Sequence, residues 1–215
     1  MHNVILSPKN AFGKVYADFY DFCSWSVKLL LSPIIINELG KLPSNSKVLE
    51  IGVGTGAILI KLAQNLPSSF TFAGIDPSEH MLAKAKYCVN ALSLSPRVTL
   101  TTGTIEDIPF ESDSFDAVVI CSLFRYLYPE RLDAYMEEVS RVTKSGGTLI
   151  ISDLIFPLTG AFPNGLSKND INYVILGIWS MYTPESLSQH IEKFNFFRAN
   201  KYSLPVSTVL VFEKQ

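Results

Sequence analysis

No excess of charge of either sign marks this 215-residue chain: 18 Lys and Arg stand against 20 Asp and Glu, a formal net charge of -2. That balance disfavours a nucleic-acid partner held through a strongly basic surface. Cysteine is scarce, and Cys23, Cys88 and Cys121 are odd in number and far apart. They make neither a disulfide framework nor a spaced metal site, and reduced thiols of a cytoplasmic chain are expected. The three histidines, His2, His80 and His190, are equally scattered, so no metal is expected. The first ten residues lack the apolar core of a secretory signal. The greasiest stretch, VKLLLSPIIINEL from Val27, is interrupted by Ser32 and Pro33 and is too short to cross a bilayer. There is no internal repeat and no low-complexity linker.

What is present is a globular composition, 47% hydrophobic and 18% charged. A chain of this length buries roughly 70% of its unfolded surface, which suits one domain spanning residues 1–215. From Ala11 to about Leu31, apolar residues recur at three and four spacing, which predicts one or two amphipathic helices, and Pro33 restarts a helix ending near Gly40. This stretch, 10–40, is a helical cap. The run Leu29–Ile36 leaves three fates open: internal packing, a homodimer interface or a membrane surface.

Strands and helices then alternate. KVLEIG is a first strand, and the glycine-rich turn after it enters a helix packed through Ile58, Leu59, Leu62, Ala63 and Leu66. FTFAGID is a second strand, followed by a helix that Ser78 caps. RVTLTTGT and FDAVVICS are the third and fourth strands. PERLDAYMEEVSRVT is an amphipathic helix closed by the turn SGG, and TLIISDLIF is the fifth strand. Residues 156–182 break this rhythm and read as a lid-like insert. Thr183 and Pro184 open another helix, and two strands joined around Leu204 and Pro205 end the chain. The pattern predicts an α/β fold of the Rossmann-like kind, with a mostly parallel seven-stranded sheet, helices on both faces and an antiparallel C-terminal edge.

The most specific string is VLEIGVGTG. Gly52, Gly54 and Gly56 remove side chains from a strand-to-helix turn, so backbone passes directly beneath a ligand, and Gly56 permits close strand-to-helix approach. The second strand ends at Asp76, 20 residues beyond Gly56. A carboxylate there accepts hydrogen bonds from ribose hydroxyls. No Gly-Lys-Ser or Gly-Lys-Thr follows the glycines, which excludes a Walker A loop. Two nucleotide cofactors remain open. Gly52, Gly54 and Ala57 satisfy a dinucleotide spacing and an NAD-linked oxidoreductase. Gly56 and the acidic Glu50 point instead to a ligand with a cationic amino-acid end.

Six strings in order resemble the class I S-adenosylmethionine-dependent methyltransferases, especially the ubiquinone and menaquinone C-methyltransferases. They are YADFYD at Tyr16–Asp21, LEIGVGTG at Leu49–Gly56, GIDPSEHML at Gly74–Leu82, GTIEDIPF at Gly103–Phe110, FDAVVICSLFRYL at Phe115–Leu127 and EEVSRVTKSGGTLIISD at Glu137–Asp153. The resemblance implies S-adenosyl-L-methionine as cofactor. It places Glu50 and the Gly52–Gly56 turn around the methionine portion, with Tyr20 closing that side. Asp76 takes the ribose hydroxyls, Pro77 and Met81 lie beside the adenine, and Thr104, Ile105 and Glu106 meet its edge. Cys121, Ser122 and Leu123 pass under the sulfonium region through their backbone. Many relatives carry Asp or Asn where this chain has Thr104, so adenine recognition shifts toward backbone groups.

Methyl transfer needs alignment more than acid–base machinery, and the chain shows no clear general base. Arg125 and Tyr126 follow the fourth strand, at the end of an open sheet where ligands bind. They and Tyr16 are the candidate substrate-side residues, against surface pairing of Arg125 with Glu130 and ordinary packing of the tyrosines. Asp153 is expected on the same rim, either contacting substrate or capping the next loop, and His190 facing solvent. A small apolar or aromatic acceptor is expected, with oxygen, nitrogen and carbon acceptors all open. A catalytically silent binding or scaffold protein is the alternative outside enzyme chemistry.

Overall fold

The computed structural model describes residues 31–154, 182–204 and 207–215, apart from the side chains of Arg125 and Leu154. The expectations for Tyr16 and Tyr20, for the cap before residue 31 and for the insert up to residue 181 lie outside the described residues. The chain divides into two compact units, Met1–Phe110 and Glu111–Gln215.

In the first unit a helix, α1, occupies residues 31–39. Its inward stripe is Leu31, Ile35 and Leu39, spaced by four and fully buried. Pro33 is helical here, and Gly40 ends the helix as expected, its N–H donating to the Ile36 carbonyl at 2.8 Å. Strand β1 (Lys47–Ile51) pairs in parallel with β2 (Thr71–Asp76), which pairs in parallel with β3 (Val98–Thr102). Helix α2 (Ala57–Asn65) buries Ile58, Leu59, Leu62 and Ala63, the predicted face. Helix α3 (Glu79–Ala91) is capped by the Ser78 hydroxyl, which accepts the Met81 N–H, and buries Met81, Leu82, Ala85 and Val89.

Gly74, within β2, allows a close approach of these elements. A Cβ there would lie 2.9 Å from both Leu100 Cδ2 and Val53 Cγ2, and 3.0 Å from Leu59 Cδ2. Strand, turn and helix therefore close over a position that only glycine leaves empty. Gly56 behaves differently from expectation: a Cβ on it would meet Ala85 Cβ at 3.1 Å. The close approach it permits is between the start of α2 and α3, because Ala85 lies on α3.

In the second unit β4 (Phe115–Cys121) pairs in parallel with β5 (Thr143–Leu154), which pairs antiparallel with β7 (Ser207–Lys214). Strand β6 (Phe196–Leu204) adds antiparallel to β7. Helix α4 (Leu132–Val142) buries Leu132, Tyr135, Met136, Val139 and Val142. The expected SGG turn is part of β5 instead. Phe115 pairs with Thr143 and Ala117 with Thr148, so residues 144–147 form a bulge inside the ladder. The helix end needs no glycine turn because side chains serve its carbonyls. Thr143 Oγ1 donates to Val139 O, and Lys214 Nζ donates to the Ser140 and Thr143 carbonyls, each at 2.6 Å. Helix α5 (Pro184–Ile191) opens on Thr183, whose side chain accepts the Ser186 N–H while Ser186 Oγ accepts the Thr183 N–H.

The strand order is β3-β2-β1-β4-β5-β7-β6 in a seven-stranded sheet. This is the mostly parallel, Rossmann-like sheet flanked by helices, with antiparallel C-terminal strands, that the alternation predicts. Among the described residues no helix is long and apolar enough to cross a membrane.

Candidate functional site

In the first unit the site is built at the carboxyl end of β2. Asp76 is 9% exposed. Its Oδ2 accepts the Gly54 N–H and its Oδ1 the Ser78 N–H, both at 2.9 Å. Burial pushes its carboxyl above the ordinary value, and the two N–H groups oppose that shift in part. The glycine turn is folded against this carboxylate: Gly52 and Val53 N–H both donate to the Ile75 carbonyl at 2.9 Å. Gly52, Gly54 and Gly56 have φ of 74°, 54° and 83°, values that side-chain-bearing residues seldom adopt. Three positive values within five residues explain the glycine spacing.

The loop after β3 joins the same strand end. Gly103 N–H donates to the Asp76 carbonyl at 3.4 Å. Thr104 pairs with Asp107 in an isolated bridge, in which the Asp107 N–H donates to the Thr104 carbonyl at 3.3 Å. Thr104 is half-buried, Ile105 buried and Glu106 exposed. Pro77 is half-buried beside Asp76, and Met81 is buried in α3. Glu50, at 2% exposed, lies within β1, two residues before Gly52. Gly54 and Gly103 thus bond Asp76 directly, and Gly52 bonds the carbonyl of Ile75, the residue before it.

These residues fit the nucleoside of S-adenosyl-L-methionine. An ionised carboxylate accepts about four hydrogen bonds, and Asp76 gives one acceptor position on each oxygen to the chain. A ligand that offers two adjacent hydroxyl donors matches what is left. Helix α2 begins on Gly56 with no side-chain cap and no acidic residue in its first turn. Its N–H groups therefore meet no competing carboxylate from that turn.

In the second unit β4 ends at Cys121, which is buried. Ser122 follows with φ of 56°, and its N–H donates to the Ser152 carbonyl at 2.7 Å. Leu123 then caps a short 3-10 turn, Phe124–Tyr126, and is half-buried. Arg125 belongs to that turn, with its side chain outside the described residues. Tyr126 is 37% exposed. Sequence spacing missed two features here. Asp153 lies inside β5 and is fully buried, not on a rim beyond the strand. The left-handed Ser122 is the other, and no residue-type signal announces a serine in that conformation.

His190 also departs from expectation. Its side chain is 16% exposed, with Nε2 against Asp133 Oδ1, and Tyr182 meets its ring edge-on at 5.3 Å between centroids. The histidine ties α5 to α4. Among the described residues no group of three or more His, Cys, Asp or Glu could hold a metal ion.

Comparison with known proteins agrees with this geometry. Residues 48–147 match the family described as Methyltransferase domain. The chain is 33% identical over 117 residues to the ubiquinone/menaquinone biosynthesis C-methyltransferase UbiE of Geotalea daltonii, covering 54% of this chain and 49% of that protein. The corresponding protein of Geobacter sulfurreducens is 31% identical over 169 residues, 79% of this chain and 59% of its own length. The chain therefore spans about half the length of the first of these and under two thirds of the second. In fold it matches a SAM dependent methyltransferase from Aquifex aeolicus, with a TM-score of 0.72 and 19% identity over 95% of this chain and all of that one. With the acidic strand end, the glycine turn and the strand order in agreement, residues 48–147 match a methyltransferase domain, and the chain resembles the ubiquinone/menaquinone C-methyltransferases over part of their length.

Proposed function

We propose that this chain transfers a methyl group from S-adenosyl-L-methionine to a small apolar or aromatic acceptor, with a ring carbon of a quinone-like molecule as the favoured target. The observation that carries the nucleotide half is the Asp76 carboxylate, buried at the end of β2 and clamped by Gly54 and Ser78. The acceptor half is supported by the names of the UbiE relatives, whose reaction is a C-methylation in quinone biosynthesis.

When bound, the cofactor supplies an electrophilic methyl group on a sulfonium. The chain supplies binding and alignment, which for an activated carbon acceptor needs little proton transfer. Asp76 holds the ribose hydroxyls. Glu50 orders the Gly52–Gly56 loop on the methionine side, which Tyr20 closes. Pro77, Met81, Thr104, Ile105 and Glu106 receive the adenine, with Thr104 contributing chiefly backbone because its side chain is short. Cys121 and Leu123 present backbone to the sulfonium side. Arg125, Tyr126 and Tyr16 are the acceptor-side residues, Arg125 attracting a phenolate or enolate oxygen and the tyrosines walling an aromatic ring.

Isothermal calorimetry with S-adenosylhomocysteine, S-adenosylmethionine and NADH tests this reading. Saturable binding of the two sulfur nucleotides and none of NADH is expected. Folded protein that binds NADH and neither sulfur nucleotide would be an NAD-linked protein, and the proposal would fall.

A further inference from the structure

The loop that follows β3, residues 103–109, is fastened where its two ends meet. A Cβ on Gly103 would lie 2.8 Å from Cδ and 3.1 Å from Cγ of Pro109. The proline ring thus fills the space that a side chain at position 103 would need, and the chain returns to its own starting point. Both atoms belong to a ring closed on its backbone nitrogen, so they cannot swing aside as the end of a flexible side chain does. Ile75 Cβ, 3.5 Å from the same point, bounds that space as well. The Gly103 N–H donates to the Asp76 carbonyl at 3.4 Å, which ties the closure to the end of β2.

Between its ends the loop is folded on itself. The Asp107 N–H closes a turn on the Thr104 carbonyl at 3.3 Å, and the Phe110 N–H donates to the Ile108 carbonyl at 2.7 Å. Ile105 and Ile108 are buried and anchor the loop, while Thr104 is half-buried and Glu106 and Asp107 are exposed. The tip is therefore reachable from solvent. In the strand order β3-β2-β1 this loop stands on the side of β2 away from the glycine turn. A nucleoside whose ribose sits on Asp76, with its sulfur substituent over the glycine turn, sends its base over this loop.

We infer that Gly103 and Pro109 are positioning residues for the base: their contact holds the 103–109 loop where it reads the adenine edge, and base selectivity depends on that closure. The inference rests on the S-adenosylmethionine reading above and adds to it the pair that sets selectivity at the base. Thr104 carries only a short hydroxyl, so the loop reads the base chiefly through backbone groups. Such groups lose their aim when the chain that carries them shifts, because a hydrogen bond weakens steeply with misalignment.

The test measures binding of S-adenosylhomocysteine against S-inosylhomocysteine, whose base has a 6-oxo group and a ring N–H where adenine has an amino group and a ring acceptor. The parent is expected to prefer the adenine form at least about tenfold, the size of one hydrogen bond. Gly103→Ala drives a methyl group into the Pro109 ring and is expected to bring the two ligands to near parity. Pro109→Ala removes Cγ and Cδ without crowding and is expected to leave an intermediate preference. The double variant Gly103→Ala/Pro109→Ala makes room for the new methyl and is expected to recover at least that intermediate level. Gly147→Ala controls for lost stability. Its Cβ would meet Lys144 O and Thr143 Cγ2 at 2.8 Å in the second unit, so it lowers the Tm and leaves the preference unchanged.

A preference that is absent from the parent, survives in Gly103→Ala, disappears in Gly147→Ala or fails to return in the double variant overturns the role of this pair. Should Gly103→Ala not fold, Pro109→Ala decides, and a full parental preference there overturns it. In each case the methyl-transfer reading stands as long as the parent binds S-adenosylhomocysteine. Parent protein that does not bind it removes the reading itself, and the inference with it.

Discussion

The Asp76 carboxylate accepts the Gly54 N–H at 2.9 Å across 22 positions of sequence, so the residue proposed to hold the nucleoside also fastens the glycine turn. Turn and acidic strand end are in this sense a single device. The carboxylate shapes the loop through one oxygen and orders the start of α3 through the other, where Ser78 donates.

Replacing Asp76 by Asn therefore has two effects. The amide has one acceptor oxygen, so it cannot receive both Gly54 and Ser78, and its NH2 group opposes one of those donors. Loss of charge-assisted bonds to a ribose is expected to weaken S-adenosylhomocysteine by about 10- to 100-fold, on the order of 1.5–3 kcal/mol. Calorimetry measures this, and an unchanged affinity would remove Asp76 from the site.

The same carboxyl gives a pH dependence with two opposed signs. Its folded-state pKa is raised above the ordinary 3.8, chiefly by burial. Its contribution to stability is therefore fully present below about 3.8 and is lost as pH rises through the folded value. Nucleoside binding runs the other way, because only the ionised carboxylate offers every acceptor position, so affinity rises with pH over that window. Urea unfolding and calorimetry across acidic pH, each compared with Asp76→Asn, should show both trends in the parent and neither in the variant.

Gly74 is expected to tolerate no side chain. A methyl group there lies 2.9 Å from Leu100 Cδ2 and Val53 Cγ2, so Gly74→Ala forces those packed side chains to shift. Overpacking of this kind costs about 1–3 kcal/mol. A lower urea midpoint with an unchanged m-value supports the account, and wild-type stability contradicts it.

The contact between His190 and Asp133 joins helices 57 positions apart in sequence. Asp133 is largely exposed, so screening keeps the pair weak. A double-mutant cycle with His190→Ala and Asp133→Ala is expected to give a coupling below about 1 kcal/mol that shrinks further in high salt. Coupling of several kcal/mol would show a buried, functional pair instead.

Much of this architecture follows from local pattern. Apolar periodicity marks α2 and α4, the alternation of strands with helices foretells a parallel sheet, and Ser78 and Thr183 announce two helix starts that the structure confirms. These features are legible because each depends on residues within a few positions of one another. Gly52, Gly54 and Asp76 are legible for a related reason: a positive-φ turn and an acidic strand end have few residue types to choose from. Legibility fails where distant residues decide. The SGG segment reads as a turn, but Lys214 and Thr143 satisfy the carbonyls at the end of α4, and the glycines go into a bulge of β5.

The sequence by itself determined the order of elements, the acidic strand end and the glycine turn, because backbone sterics and hydrophobic periodicity act locally. Tertiary structure alone decided that Gly56 separates two helices, that Gly74 is a crowded glycine, that Asp153 is interior and that the Ser152 hydroxyl has no partner among the described residues. Those outcomes depend on which strands become neighbours and in which register. A shift of one residue would exchange Ser152 and Asp153 between the two faces of the sheet.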